Sequence, residues 1–284
     1  MKLKGRAGAY TFYSSKGRQI ARVSQNSTNY GDSARRSLAQ QTRRVKWSNL
    51  VNFWKLTSGV LKGSFESKRA NETDYNAFMR KNLGQATIAF TKEMAARSCC
   101  LPEEFVISEG SLPEVTAAWG STSEPTSLFT SLMFQTAESK QIQTVAELSA
   151  GLILQNPEIK AGFQITLILV GIALHPWGPT SELVAAEVTL DTEDTRDLAE
   201  VFNGFEIWAD ESGRIKFFDL DGYSAGAVIL SDSTRGKLRV STASLALTNT
   251  TEQQKYSTEA AVAAAIESYG LDPERFLDSG DYQG

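Results

Sequence analysis

Phe163-Gln-Ile-Thr-Leu-Ile-Leu-Val-Gly-Ile-Ala-Leu174 is the longest apolar run in the chain, bracketed by Gly162 and Pro176. A membrane-spanning helix needs about 20 apolar residues, so this run is too short to cross a bilayer and no membrane partner is expected. Its length and its glycine and proline boundaries suit a strand buried in the interior.

Further strands are read on both sides of it. They fall at residues 105–107, 115–119, 127–134, 183–190, 205–208, 215–218, 225–230 and 238–247, each rich in β-branched and aromatic side chains. Asp210-Glu-Ser-Gly213 supplies a hairpin turn between two of them. Helices interrupt the series. Thr144-Val-Ala-Glu147 is a capping box that opens a helix running to about residue 155, before Pro157. A short helix is expected after Asp194, through Leu198 and Val201, and a last one over residues 257–269, closed by Gly270.

Upstream of residue 100 the texture is helical. A helix is predicted over residues 34–61, with Asp32 or Ser33 as its cap. Trp47, Leu50, Val51, Trp54 and Leu61 share one face; Val45, Phe53, Leu56 and Val60 carry apolar character round the other side. A second helix over residues 71–83, with Tyr75, Phe78 and Met79 as its stripe and Gly84 at its end, pairs with the first as a helical hairpin. Residues 87–90 read as strand and 92–97 as one or two helical turns. Residues 9–13 and 19–23 form a hairpin about Lys16-Gly17, with too little apolar area to order except against something else.

The expected fold is therefore α+β: a helical hairpin followed by a mainly antiparallel β-sandwich or barrel-like body with a few short helices. The expected divisions are an extended basic arm (1–31), a basic helical region (32–100) and an acidic β-rich domain with a C-terminal helix (101–284). Charge follows the same division. Residues 1–100 hold 19 Lys+Arg against 5 Asp+Glu, while residues 101–284 hold 10 against 28. Halves of opposite sign suit different partners: nucleic acid, or the acidic surface of a neighbouring protein.

Catalytic constellations are hard to assemble from these residues. His175 is the sole histidine, in a His-Pro-Trp strand end, and no Gly-x-Ser-x-Gly elbow or P-loop occurs. Cys99 and Cys100 are adjacent, which strains a disulfide, and read as small thiols in a reducing compartment. Asp219-Leu-Asp-Gly222 is a turn rather than a calcium loop, since strands flank it. Asp191, Glu193 and Asp194 suit a helix start. No catalytic residue, metal or cofactor is expected. The candidate contacts, to protein carboxylates or to phosphate, are Lys16, Arg18, Arg22, Arg35, Arg36, Arg43, Arg44 and Lys46, with Tyr10, Phe12, Tyr13 and Tyr30 able to stack bases.

Five phrases in order carry a resemblance. They are Leu3-Lys-Gly-Arg-Ala-Gly8, the Gln40-Gln41 to Trp47 helix followed by Trp54, Asp74-Tyr-Asn-Ala-Phe78 before Asn82-Leu83, Ser108-Glu-Gly-Ser-Leu-Pro113, and Gly236-Lys-Leu-Arg-Val-Ser241 leading into Leu245. Together they resemble a family of uncharacterised proteins of Bacteroidetes and of the crAss-like bacteriophages that infect them. The resemblance covers nearly the whole chain and brings no catalytic residues with it. It implies a virion structural protein, made in the host cytoplasm, forming a homo-oligomeric ring at the junction of portal and tail beside other virion proteins. A nucleic-acid-binding accessory protein and a bacterial surface or adhesion module are the alternatives. The latter is disfavoured because residues 1–8 show no apolar export signal.

Overall fold

A computed structural model describes residues 5–7, 10–15, 18–23, 38–121, 124–136, 138–234, 236–248 and 251–270. The first strands, β1 (Gly5–Ala7), β2 (Tyr10–Ser15) and β3 (Arg18–Val23), form an antiparallel sheet in the order β1-β2-β3. The register of β2 with β3 runs from Tyr10–Val23 to Ser15–Arg18. The described part of the arm is thus a sheet of three strands rather than a single hairpin. The expected turn Lys16-Gly17, like residues 24–37 with the expected helix caps Asp32 and Ser33, lies outside the described residues.

Helix α1 (Leu38–Thr57) is followed by α2 (Asp74–Asn82) and the one-turn α3 (Lys92–Ala96). The pair α1 and α2 packs as read from the sequence: the Phe53 and Phe78 rings lie 6.4 Å apart and the Trp54 and Phe78 rings 5.4 Å apart. Four details differ. Helix α1 stops at Thr57 rather than at residue 61. Trp47 is exposed, and the buried stripe of α1 runs instead through Gln41, Val45, Asn49, Leu50, Phe53 and Thr57. The second helix begins at Asp74, because Thr73 caps it by accepting from the Asn76 N–H, and it ends at Leu83 without a left-handed residue at Gly84. Residues 87–90 form no strand. The Ala89 N–H donates to the Tyr256 carbonyl, and Glu103 takes the Thr87 N–H.

The body contains β4 (Val106–Ser108), β5 (Ala117–Trp119), β6 (Leu128–Met133), β7 (Lys140–Ile142), α4 (Val145–Gln155), β8 (Gln164–His175), β9 (Gly178–Thr189), α5 (Leu198–Val201), β10 (Glu206–Ala209), β11 (Arg214–Phe218) and β12 (Tyr223–Asp232). It closes with β13 (Arg239–Val240), β14 (Ala243–Ser244), β15 (Ala246–Leu247), α6 (Thr251–Ser257) and α7 (Glu259–Ser268). One sheet has the order β5-β6-β11-β10-β7; another has β13-β12-β8-β9, with β15 pairing β12 off that path; β14 pairs β4. The chain is α+β with antiparallel sheets, and the sheets are open, so the barrel alternative falls away. The segment 238–247, read as one strand, is three short ones. Val240 pairs with β12, Ala243 with β4 and Ala246 again with β12, so the segment changes partner within a few residues.

The decisive run now has its reason. On β8, Ile165, Leu167 and Leu169 face a core shared with the five-stranded sheet and α4, through Leu128, Phe217, Ile207 and Leu148. The alternate residues Ile168 and Val170 face a second core with Leu50 and Phe53 of α1 and Phe78 of α2. Strand β12 divides the same way, Val228 and Leu230 to one side and Ala227 and Ile229 to the other. An antiparallel strand with one wet face alternates apolar and polar; β8 does not, because sheet lies on one side and helix on the other. Each fully buried leucine or isoleucine there contributes about 1.5–3 kcal/mol. Contacts group Thr42–Asp272 as one compact unit, with Met1–Gln41 outside it. The change of charge at residue 100 therefore falls within that unit, and the helices and the sheets share its second core.

Candidate interaction surfaces

The eight candidate cations divide into separate groups. Lys16, Arg35 and Arg36 lie outside the described residues. Arg18 and Arg22 stand on β3, paired in register with Ser15 and Thr11, and Arg18 is exposed. Arg43, Arg44 and Lys46 project from the first half of α1, the arginines exposed and the lysine half-buried. They lie between the buried positions Gln41, Val45 and Asn49, so helical periodicity itself turns them outward. The Arg44 guanidinium sits 5.4 Å from the centre of the Tyr269 ring, and Trp47 exposes its indole one turn after Arg43. Burial raises the Tyr269 phenol while Arg44 opposes that rise. This is a mixed patch of cations and aromatic rings, suited to carboxylate or phosphate partners.

Behind that patch, the helix holds an extended segment by side-chain amides. Asn49 acts as a strand neighbour would. Its Oδ1 accepts from the Leu101 N–H at 2.9 Å, and its Nδ2 donates to the Leu101 carbonyl at 3.1 Å and to Glu103 Oε1 at 2.9 Å. Asn82 repeats this on Val106, at 2.8 and 2.9 Å. Asn52 donates to the Ala95 and Cys99 carbonyls, both at 3.1 Å, and Gln253 to the Pro102 carbonyl at 3.2 Å. Sequence reading passed over these residues. For Asn49, Asn52 and Asn82 the signal was an amide among the apolar positions of a helix; Gln253, in the polar helix α6, carried none.

The groups weighed for chemistry are engaged in structure. His175 is exposed at the β8–β9 turn, stacked 4.7 Å from Trp177, with Nε2 3.0 Å from Thr180 Oγ1. Cys99 and Cys100 are free and buried, and burial pushes both thiols up, the reverse of nucleophile activation. Asp219 and Gly222 adopt left-handed backbone at the turn into β12. Asp194 grips Arg196, whose hydrogen bonds hold its carboxyl below the usual range, and Asp197 caps α5 through the Ala199 N–H. A cleft of about 530 Å³ beside Gln141, Thr144, Asp197 and Glu206 has its carboxylates committed in the same way, Asp197 to the cap and Glu206 to the Trp208 indole N–H at 2.9 Å. Among the described residues, no group of three or more His, Cys, Asp or Glu side chains could hold a metal ion.

Compared with known proteins, the chain matches no family model, no curated sequence and no solved structure. Its surfaces are the remaining guide. Besides the cationic patch, Leu174 and Trp177 are exposed at the tip of the β8–β9 hairpin, Leu154 on α4 and Met133 on β6. Strand β9 ends its sheet, with no further strand beyond it among the described residues. The apolar pattern of β9 announced a strand but not its place at an edge, which depends on the order of the sheet.

Proposed function

We propose that this chain is a non-enzymatic structural protein of a tailed bacteriophage virion, an oligomeric ring component at the junction of portal and tail. The observation that carries the reading is the opposite sign of net charge on the N-terminal segment and on the compact unit that follows it. Met1–Gln41 holds eight Lys+Arg against one Asp, whereas Thr42–Asp272 holds 20 against 29 and forms a compact unit of its own. A basic N-terminal sheet and an acidic body in one chain suit head-to-tail contacts between copies, which use two different surfaces and close into rings when the rotation permits. The resemblance of the ordered sequence phrases to crAss-like phage proteins supplies the virion setting.

The test is native mass spectrometry and electron microscopy of the purified full-length chain, with imaging of particles that contain it. A cyclic oligomer is expected. A chain that stays monomeric at assembly concentrations, and is missing from particles, removes the reading.

The patch of Arg43, Arg44, Trp47 and Tyr269 favours one second reading, a nucleic-acid-binding accessory protein. It predicts binding to duplex or single strands that falls steeply with salt, as phosphate contacts release counterions. Lack of binding to either strand form at low salt removes it.

A further inference from the structure

We propose that the outward edge of β9 receives strand β3 of a second copy as an added antiparallel strand. This rests on the assembly reading and names the contact it uses. Strand β9 follows β8 through Pro176-Trp177, with His175 opposite Gly178. In a two-residue hairpin that flanking pair is hydrogen bonded, and alternate pairs repeat it. Gly178, Thr180, Glu182, Val184, Ala186 and Val188 therefore turn their backbone groups toward β8. The odd-numbered residues turn theirs outward. Two bonds bear this parity out: the Leu190 N–H donates to the Phe163 carbonyl at 2.7 Å, and the outward Pro179 carbonyl accepts from Cys100 N–H at 3.2 Å.

The segment around Cys100 covers only the start of this edge, where the Ser181 hydroxyl also donates to the Cys100 carbonyl at 2.9 Å. From Leu183 to Thr189, no hydrogen bond from a described residue reaches the outward N–H and C=O groups. Open edges of this length are templates for another strand, and proteins usually guard them with lysine, proline or a bulge. Here the register with β8 is unbroken, and Leu183–Thr189 contains no lysine or proline.

Charge selects the occupant. Strand β9 carries exposed Glu182 and Glu187 and no cation, so a second acidic β9 is a poor partner. Strand β3, Arg18-Gln-Ile-Ala-Arg-Val23, is one of the two edge strands of the N-terminal sheet, twice as long as β1 at the other edge, and carries two arginines and no acid. The Ser15–Arg18 pair ends the β2–β3 ladder, and taking it as a hydrogen-bonded pair makes Gln19, Ala21 and Val23 the outward backbone positions, which pair with outward positions of β9. Setting Ala21 against Leu183 places Arg22 opposite Glu182 and Ile20 opposite Val184. The contact joins two different surfaces of the chain, which makes it head-to-tail.

The test uses two full-length variants with different tags, one carrying Arg22→Cys and the other Glu182→Cys, mixed and oxidised. Opposed non-hydrogen-bonded residues have Cα atoms about 4.5 Å apart, within disulfide reach, while native Cys99 and Cys100 are buried. A disulfide between the two tagged chains is expected, and none when Glu187→Cys replaces Glu182→Cys. A third variant, Ala185→Pro, removes an outward N–H without touching the β8 ladder; it should weaken association at least tenfold while keeping the wild-type circular dichroism. Failure of the 22–182 link overturns the proposal. So does a link confined within one chain carrying both cysteines, or a folded Ala185→Pro that assembles like wild type. Oligomers that form without the link remove this contact and leave the assembly reading standing; a chain monomeric throughout removes both.

Discussion

Asn49 has more hydrogen-bonding consequence than any charged residue on α1. It satisfies both backbone groups of Leu101 in a site with no exposure of its own. Asn49→Ala leaves a buried N–H and C=O unpaired, and each costs about 1–3 kcal/mol. Urea unfolding should show a loss of about 3 kcal/mol, and Asn49→Asp a larger one at neutral pH, because its carboxylate would face Glu103 Oε1 and the Leu101 carbonyl. Asp232 is the acid-sensitive counterpart. Burial pushes its carboxyl up, but hydrogen bonds from Thr234 and the Arg239 guanidinium outweigh that and lower it from 3.8 to about 2. A lowered native value means that the carboxylate stabilises the fold above its unfolded value. That stability is lost as pH falls from 3.8 toward about 2. Asp232→Asn should cost about 2 kcal/mol at neutral pH. Over that acid range its stability should fall less steeply than wild type, measured by denaturant titration at each pH.

Element by element, local signals and packing agree in some places and part in others. The cap of α4 is what its residues announce: Thr144 accepts from the Glu147 N–H at 3.2 Å, and Glu147 reaches back to the Gln143 N–H at 2.9 Å. Inside the same helix Gly151 looks like a defect, since alanine is favoured by about 1 kcal/mol at a helix interior. Packing reverses that preference. A Cβ at Gly151 would stand 2.0 Å from Cε2 of the buried Phe134 ring. Gly151→Ala should therefore lower the melting temperature, and Phe134→Leu in the same chain should relieve part of the loss. Additive effects of the two substitutions in thermal unfolding would contradict this close approach.

For the whole molecule, charge and core do not share a boundary. Residues up to 100 are basic, yet Leu50, Phe53 and Phe78 pack against Ile168 and Ile229 from the acidic part. Thr42–Asp272 should consequently unfold in one transition, with tryptophan fluorescence and far-ultraviolet circular dichroism coincident. Phe53→Ala, opening a cavity between helix and sheet, should move that single transition by about 3–5 kcal/mol rather than split it. Two separated transitions would show the helices and the sheets to be independent. Surface charge sets long-range attraction between molecules and can be segregated along a chain, whereas burial forces distant segments into one cooperative body.

The sequence by itself determined the strand at residues 163–174, the Asp210–Gly213 turn, the α4 cap, the Gly270 helix end and the opposed charges of the two halves. Each is written in residues adjacent in the chain, through periodicity, turn chemistry or composition. Tertiary structure alone decided that the apolar run is covered on both faces, that Trp47 is outside and Asn49 inside, and that residues 238–247 divide among strands. It also decided that β9 lies at an edge. Burial on a given face and place in a sheet depend on partners elsewhere in the chain, 52 residues away for Asn49 and Leu101. No local pattern encodes which distant segment will arrive.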